Sequence, residues 1–366
     1  MFISCNKDAS KDAGNETSYK GHGIESVSKE ILEKYKAKPL SSQLTREIEK
    51  GNELRTPSLG QMTLDGKTLF VNWNVTGVNQ VWKVSGPDSF PVQMTGGDDA
   101  TRLRDITHDG RFLVVTRDSG GDEYPRIYLQ SVTGGELKEV YGADKVKVSY
   151  LTQSRSGKKL YFYANDLGPT TFAIYEYDIE TKTKVLLTKG SGFWWIQDID
   201  EENDEMILGH AISNTAREYF LFNKKTKEKK DLLGQNEKVN YDINYGVKKN
   251  EYFVLTNKFS DFKRIYLYNS VTKKYKPITG ELDYAISSFS IDEEKKRILY
   301  SINNKGYMRV KAMDSRTYLD IKLPFKDDDK ALLHAYSGNT TSNARYTIFG
   351  LSFYNKLRSS YVYDWK

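Results

Sequence analysis

Residues 116–129, TRDSGGDEYPRIYL, hold the densest set of side chains that could do chemistry. Arg117 can bind a carboxylate through two parallel hydrogen bonds, while Asp118 and Glu123 can accept hydrogen bonds from an ammonium group. A purely structural role fits the same residues. The Gly-Gly pair predicts a tight turn, in which Asp118 and Glu123 would accept backbone hydrogen bonds.

Trp194 and Trp195 form a second candidate surface, for contact with a peptide or with another domain. Side chains alternate along a strand, so one of two adjacent tryptophans should belong to the core. We take Trp194 as the candidate contact residue.

Motifs of catalysis and of cofactor binding are missing from the sequence. A serine-hydrolase elbow needs Gly-x-Ser-x-Gly, and residues 190–192 (GSG) lack that spacing. We also find no phosphate loop, zinc pair or calcium loop. The sequence therefore predicts no catalytic residue, no cofactor and no metal site. A functional carboxylate in the central channel, such as Asp105 or Asp198, is an alternative that the sequence leaves open. Four histidines are expected to be surface or hydrogen-bonded residues rather than metal ligands: His22, His108, His210 and His334.

The elements that must position these residues repeat roughly every 45 residues. The first half of each repeat is an apolar strand, a polar turn and a second apolar strand, as in residues 64–71 (LDGKTLFV), 108–115 (HDGRFLVV) and 154–163 (SRSGKKLYFY). The second half is an aromatic strand, a turn and a closing strand. Repeats of this length with four short strands each predict an all-β fold, the β-propeller.

Residues 56–366 hold seven such repeats, which predicts a seven-bladed β-propeller of four-stranded antiparallel blades. The last aromatic strand, at residues 361–363, is followed by no closing strand, so we expect an incomplete last blade. An unpaired edge is a liability for a sheet. Either residues from the N-terminal arm supply the missing strand, or the natural polypeptide continues, and we expect the second.

The segment before the array is predicted to have two parts. Residues 24–55 form a short helical arm against the propeller, with Ser28 able to cap its first helix. Residues 1–23 form a flexible polar tether. Within it, Cys5 follows Ile3 and Ser4 as in the lipid-attachment site of a bacterial lipoprotein. Only four residues precede Cys5, so a free thiol is the alternative.

The charge, the apolar runs and the cysteine count exclude several kinds of partner and bond. The 55 basic and 49 acidic residues are interspersed and give a net charge of +6, and the basic run at residues 224–230 falls on a predicted hairpin turn. We therefore expect no nucleic-acid partner. No run approaches the ~20 apolar residues of a transmembrane helix. A single cysteine excludes an internal disulfide.

Residues 117–128 resemble a string found in bacterial members of the prolyl oligopeptidase family, in the acylaminoacyl-peptidase and dipeptidyl-peptidase-like branch. That string is Arg-Asp-x-Gly-Gly-x-Glu, followed by an aromatic residue and an Ile/Leu-Tyr strand. Residues 79–82 (NQVW) with 91–96 (PVQMTG) are similar to the family's first blade. Residues 352–364 are similar to its exit from the last blade. The resemblance covers nearly the whole array.

The resemblance implies a propeller that caps an α/β-hydrolase domain carrying Ser, Asp and His. The propeller would exclude folded proteins and admit short peptides. No position here matches a catalytic residue, so we expect this chain alone to hydrolyse no peptide. Its implied partners are a missing or separate hydrolase domain and short peptides, with Arg117, Asp118 and Glu123 facing one or the other.

The alternative function is a free-standing, TolB-like propeller that binds other proteins in the cell envelope. Such a propeller should close its ring with a strand from residues 50–60. A gating propeller should instead show an open seventh blade and an apolar face. Under both readings we expect a location in the bacterial cell envelope or periplasm, where Cys5 would carry the lipid of a lipoprotein, with the cytoplasm as the alternative.

Overall fold

The computed structural model describes residues 26–325 and 331–366. It divides into two compact units, Met1–Leu54 and Arg55–Lys366. The second unit consists of seven antiparallel sheets arranged as a seven-bladed β-propeller, which confirms the predicted fold class. Cys5 and His22 lie outside the described residues.

The described part of the first unit holds two helices, α1 (Lys29–Lys34) and α2 (Ser42–Glu53). Each begins after a serine whose hydroxyl accepts a backbone N–H bond: Ser28 from Ile31 at 3.3 Å and Ser41 from Leu44 at 3.2 Å. Such caps satisfy amide groups that the first turn of a helix leaves without a partner.

Each blade forms from four consecutive strands, except the last. Blades 1 to 3 comprise β1 (Gln61–Met62), β2 (Leu69–Trp73), β3 (Gln80–Val84) and β4 (Val92–Gln93); β5 (Thr101–Ile106), β6 (Phe112–Arg117), β7 (Arg126–Ser131) and β8 (Lys138–Tyr141); β9 (Val148–Gln153), β10 (Lys159–Ala164), β11 (Thr171–Asp178) and β12 (Thr183–Ser191).

Blades 4 to 7 comprise β13 (Trp194–Asp200), β14 (Glu205–Ala211), β15 (Arg217–Asn223) and β16 (Lys229–Leu233); β17 (Tyr241–Tyr245), β18 (Glu251–Thr256), β19 (Arg264–Asn269) and β20 (Lys274–Pro277); β21 (Ile286–Ile291), β22 (Arg297–Asn304), β23 (Tyr307–Asp314) and β24 (Asp320–Ile321); β25 (Leu332–Thr340), β26 (Tyr346–Phe353) and β27 (Lys356–Asp364).

The seventh blade has three strands among the described residues, as the sequence predicted. Residues 54–60 form no strand, so the described part of the segment before β1 does not complete this blade. Within residues 26–325 and 331–366, no strand pairs with the outer edge of β27.

The turn between the first and second strands contains a residue with a positive φ in every blade. One residue at the equivalent position takes a positive φ: Gly66, Gly110, Gly157, Asp204, Asn250, Lys295 and Ala344. Glycine takes this conformation without a steric penalty, which is why the Asp-Gly turns are visible in the sequence. Blades 4 to 7 place other residues there, so their turns are harder to find by sequence.

Successive strands run in opposite directions, so their connections emerge on two faces. We call the face with the first-to-second and third-to-fourth hairpin turns the turn face. The loop face carries the second-to-third loops and the connections between blades. Side-chain bonds join the first strands of neighbouring blades, for example Tyr150 to Asp105 and Gln197 to Asp242, which places these strands innermost.

The core lies between neighbouring blades rather than at one centre. Six clusters of buried apolar side chains each span two adjacent blades, in series from blades 1 and 2 to blades 6 and 7. The cluster between blades 3 and 4, for instance, packs Tyr161 and Ile174 against Met206 and Leu208, all with 0% exposure.

None of these six clusters joins blade 7 to blade 1. There the ring is closed by side chains set against glycines. Leu59 lies over Gly338 and Gly350, and the Tyr346 ring lies over Gly66. The Asn343 amide donates to the Leu64 carbonyl at 3.1 Å. We call this contact the closing seam.

The closing seam can be tested with a matched pair of glycine substitutions. Gly66 and Gly110 have φ values of 72° and 73° in equivalent turns, so alanine at either carries the same backbone strain, about 1–2 kcal/mol. A Cβ at Gly66 also collides with the Tyr346 ring, whereas one at Gly110 meets nothing within 4 Å. We expect Gly66→Ala to lower the free energy of unfolding in urea by about 1–3 kcal/mol more than Gly110→Ala. Equal losses would show that Tyr346 does not pack on this turn.

Candidate functional site

The charged loop of blade 2, residues 118–125, follows β6 on the loop face. Arg117, the last residue of β6, donates from Nε to Thr101 Oγ1 at 2.7 Å and from Nη2 to the Gly96 carbonyl at 2.8 Å. The guanidinium thus fastens the connection between blades 1 and 2. Both bonds are to the protein itself.

Two carboxylates that the sequence analysis passed over stabilise the loop: Asp122, within it, and Asp99, whose Oδ1 accepts from the Gly120 amide at 2.8 Å. Asp122 Oδ1 accepts from the backbone amides of Ser119 (3.3 Å) and Tyr124 (3.0 Å). Asp118 and Glu123, expected to fill this role, make no hydrogen bond or ion pair within the described residues. Asp118 is half-buried and Glu123 is exposed, so both carboxylates are free to meet a ligand.

Trp194 is the buried member of the tryptophan pair. It is 8% exposed, stacks on His210 with ring centroids 4.2 Å apart, and donates from Nε1 to the Ser191 carbonyl at 2.9 Å. The side chain belongs to the core between blades 3 and 4. Trp195 is half-buried instead, because its neighbour in the strand points the other way.

An aromatic cluster at the loop-face end of blades 3 and 4 surrounds Trp195. We use the name aromatic cluster for Tyr163, Phe172, Phe193 and Trp195. Phe193 is its centre: its ring lies 5.5 Å from Tyr163, 5.4 Å from Phe172 and 5.6 Å from Trp195. Phe193 is 41% exposed, so the cluster has an open side. The sequence pointed only to the tryptophans, since the other rings come from three separate elements.

Two carboxylates on the innermost strands tie neighbouring blades together. Asp105 accepts from Tyr150 Oη at 2.6 Å, and Asp198 accepts from the Tyr245 amide at 2.8 Å. Each also accepts from the amide of the following residue at a β-bulge. Burial raises the pKa of Asp105, and it raises the pKa of Asp198 to about 6. Both carboxylates thus have a structural use.

The turn-face mouth of the channel is crossed by an ion pair. Arg155 Nη2 lies 2.8 Å from Glu294 Oε1. These residues belong to blades 3 and 6, which are not neighbours in the ring, so the pair bridges the opening. The Arg155 amide also donates to Glu201 Oε1 of blade 4 at 2.6 Å. We call this arrangement the channel latch.

Exposed apolar side chains gather on the loop face. Among the described residues they come from every blade except blade 2: Val75, Val78, Leu167, Phe193, Ile212, Phe259, Phe262, Tyr307, Tyr354 and Leu357. In the described hairpin turns of the opposite face, the exposed large apolar residues are Phe90, Val271 and Leu319. We call the ten loop-face residues, Val75 to Leu357, the apolar ring. The charged loop of blade 2 interrupts it.

The described histidines lie in three different blades: His108 in blade 2, His210 in blade 4 and His334 in blade 7. His108 has a buried Nδ1 without a hydrogen-bond partner, whereas His334 Nδ1 accepts from the Met308 amide at 3.2 Å. Within residues 26–325 and 331–366, no group of three or more His, Cys, Asp and Glu side chains could hold a metal ion. In the same ranges no helix is both long and apolar enough to span a membrane.

Comparisons with known proteins found similar folds but no relative by sequence. No family model matches, and no curated protein matches. A structure from a study of two prolyl endopeptidases matches with a TM-score of 0.64 and 12% identity, covering 84% of this chain and 47% of that chain. The chain thus spans about half the length of that protein.

Two further structures come from proteins of other kinds. An oligogalacturonate lyase in complex with manganese matches with a TM-score of 0.61 and 13% identity, covering 83% of this chain and 88% of that chain. TolB from Acinetobacter baumannii matches with a TM-score of 0.46 and 14% identity, over 66% and 58% of the two chains. At these identities, the matches with TM-scores of 0.64 and 0.61 show a shared fold and nothing about function.

The raised pKa of Asp198 predicts a specific pH dependence. The folded-state pKa of about 6 exceeds the ordinary value of 3.8, so the folded protein favours the protonated acid. This group's contribution to stability is full below the ordinary pKa and is lost as pH rises through about 6. Between about pH 4.5 and about pH 7.5, the wild-type protein loses this contribution and the Asp198→Asn variant has none to lose. We therefore expect the free energy of unfolding of the variant, measured in urea, to rise relative to that of the wild type over this range. A constant difference between the two proteins would contradict the assignment. The side chain of the Asp198→Asn variant has only one acceptor oxygen, so it loses one of the two backbone hydrogen bonds of Asp198. That loss is the same at both pH values and does not affect the change with pH.

The channel latch should be weak enough to open. Its side chains are 55% and 36% exposed, and pairs of this kind contribute up to about 1 kcal/mol. A double-mutant cycle with Arg155→Met and Glu294→Gln should give a coupling of that size, which added salt reduces. A coupling above about 3 kcal/mol, insensitive to salt, would mean a fixed crosslink rather than a latch.

Proposed function

We propose that this propeller covers the active site of an α/β-hydrolase domain of the prolyl oligopeptidase kind and screens that domain's peptide substrates. The observation that carries the proposal is the apolar ring. Its exposed apolar side chains come from six blades and lie on the loop face, and a second domain docked on that face would cover them.

The exposure of the ring calls for a covering partner. Tyr354 is 70% exposed, and Phe259 and Ile212 are each 53% exposed. Scattered apolar residues on a surface need no explanation, but a set gathered on one face marks an interaction site. Burying these side chains would contribute roughly 25 cal/mol per Å² of apolar area. The resemblance of residues 117–128 to the prolyl oligopeptidase family, together with the propeller architecture, favours a hydrolase domain as the partner.

Screening would follow from the shape of the propeller. The catalytic domain would close the loop face, and the channel latch narrows the turn-face mouth. Folded proteins would be excluded sterically, because selectivity depends on the width of an opening rather than on bond-making groups. A short peptide could pass once the weak latch opens.

The charged loop of blade 2 gives the covered cavity a polar side. Asp118 and Glu123 have no partners within the described residues, so either carboxylate can pair with the amino terminus of a peptide. Arg117 then acts as a positioning residue, because it holds the connection beside the loop.

An activity-based probe tests this proposal in the cells that make the protein. An antibody against the propeller should precipitate a species that reacts with a fluorophosphonate, the reagent that labels active-site serines. The label should lie either on the same polypeptide or on a separate one.

The face that docks is identified by competition. If the labelled species is separate, excess 366-residue chain should displace it. A Phe90→Ser chain should compete equally well, because Phe90, 89% exposed, lies outside the apolar ring. A Phe259→Ser/Phe262→Ser chain should compete about tenfold less well. Precipitates without label, or equal competition by both variants, would overturn the proposal and favour a free-standing binding propeller.

A further inference from the structure

Two arginines on the innermost strand of blade 2 point to a binding site for an anion. Arg102 and Arg104 lie two positions apart on β5, and both lie beside Thr116: Arg102 is its register partner, and Arg104 at the β-bulge reaches its hydroxyl. Both are exposed, whereas Thr101 and Leu103, which alternate with them, are buried. This strand lines the channel, and Arg102 lies near its loop-face end.

Neither guanidinium is neutralised by the described part of the protein. No carboxylate there lies within 4.0 Å of either side chain, whereas Arg111, Arg126 and Arg345 all have such partners. The Arg104 Nε donates to Thr116 Oγ1 at 2.8 Å, which fixes its orientation. Partial desolvation of the guanidinium, and then the charge of Arg102, lower the pKa of Arg104.

The arginine pair and the aromatic cluster lie on neighbouring blades at the same face. Arg102 is near the loop-face end of β5 in blade 2, and Tyr163 is next to last in β10 of blade 3, at the loop-face end of that strand. The Tyr163 ring makes an edge contact with Phe193 at 5.5 Å, and Phe193 is the open side of the apolar surface. A ligand that suits both carries an anionic end beside an apolar group.

We infer that Arg102 and Arg104 bind the free carboxylate of a short peptide's carboxyl terminus, and that the aromatic cluster receives its last side chain when that side chain is aromatic or apolar. A guanidinium matches a carboxylate through two parallel hydrogen bonds, and an aromatic surface contributes burial without competing charge. The choice of a peptide as ligand rests on the proposed function. The propeller would then select short peptides that have a free carboxyl terminus and an aromatic or apolar last residue.

Calorimetry with the 366-residue chain tests the inference without any hydrolase domain. The probes are N-acetyl-Ala-Ala-Phe as the free acid and as the carboxamide. We expect the acid to bind at least about tenfold more tightly, since hydrogen bonds between charged groups exceed neutral ones by roughly that factor. The affinity of the acid should fall with added salt.

Matched variants assign this preference to the two arginines. Arg102→Gln and Arg104→Gln should each remove most of the difference between acid and amide. Arg316→Gln, an exposed arginine in a turn-face hairpin, should keep it. Phe193→Ala should weaken binding of the Phe peptide but not of N-acetyl-Ala-Ala-Gly. Unchanged melting temperatures would confirm that each variant is folded.

The opposing outcomes are distinct. Equal affinity for acid and amide, no binding of either, or an unchanged preference in the arginine variants would each overturn the inference. None of these results bears on the fluorophosphonate experiment, which detects the hydrolase domain and not the peptide. A labelled hydrolase together with no carboxylate preference would leave the gating function standing and remove this site.

Discussion

The burial of apolar side chains between neighbouring blades is the interaction on which this structure depends. Each sheet has two faces, and in a ring each face meets the next blade, so no single blade can bury its own core. The six clusters therefore act in series, and each blade is held by those beside it. The closing seam is different in kind, because it sets single side chains against glycines.

In this arrangement the first strand of each blade lines the channel. Polar side chains on these strands need hydrogen-bond partners there. The protein provides them by pairing across blades. Asp105, Asp198 and Gln197 each bond to the first strand of the following blade. Burial makes such carboxylates costly in the ionised form, as the raised pKa of Asp198 shows. The exposed arginines of β5 are an exception, because no carboxylate of the described residues pairs with them, although Arg104 donates to Thr116.

The sequence was sufficient for the repeats, the number of blades and the incomplete last blade. Alternating apolar residues and turn-forming residues act locally, and their signal returns seven times. Individual side chains were harder to place. Asp122 rather than Asp118 or Glu123 stabilises the blade 2 loop, because the choice among three nearby carboxylates depends on where the backbone amides point. Arg155 and Glu294 are 139 positions apart, so only the closed ring reveals the channel latch.

The two faces of the propeller differ in a way that the repeat itself does not require. Hairpin turns can be short and polar in every blade, because each only reverses the chain between paired strands. The second-to-third loops also only reverse the chain, yet six of the seven blades place exposed apolar residues there or at the adjoining connection. Folding alone gives no reason for that choice, since solvent exposure of apolar groups costs free energy. A covering partner gives such a reason. The one loop that departs from the pattern, in blade 2, lies beside the two unneutralised arginines of β5. On the loop face, exposed apolar residues thus recur in six blades, and the charged loop of blade 2 interrupts them. The proposed partner would cover the six and leave the charged loop facing the enclosed cavity.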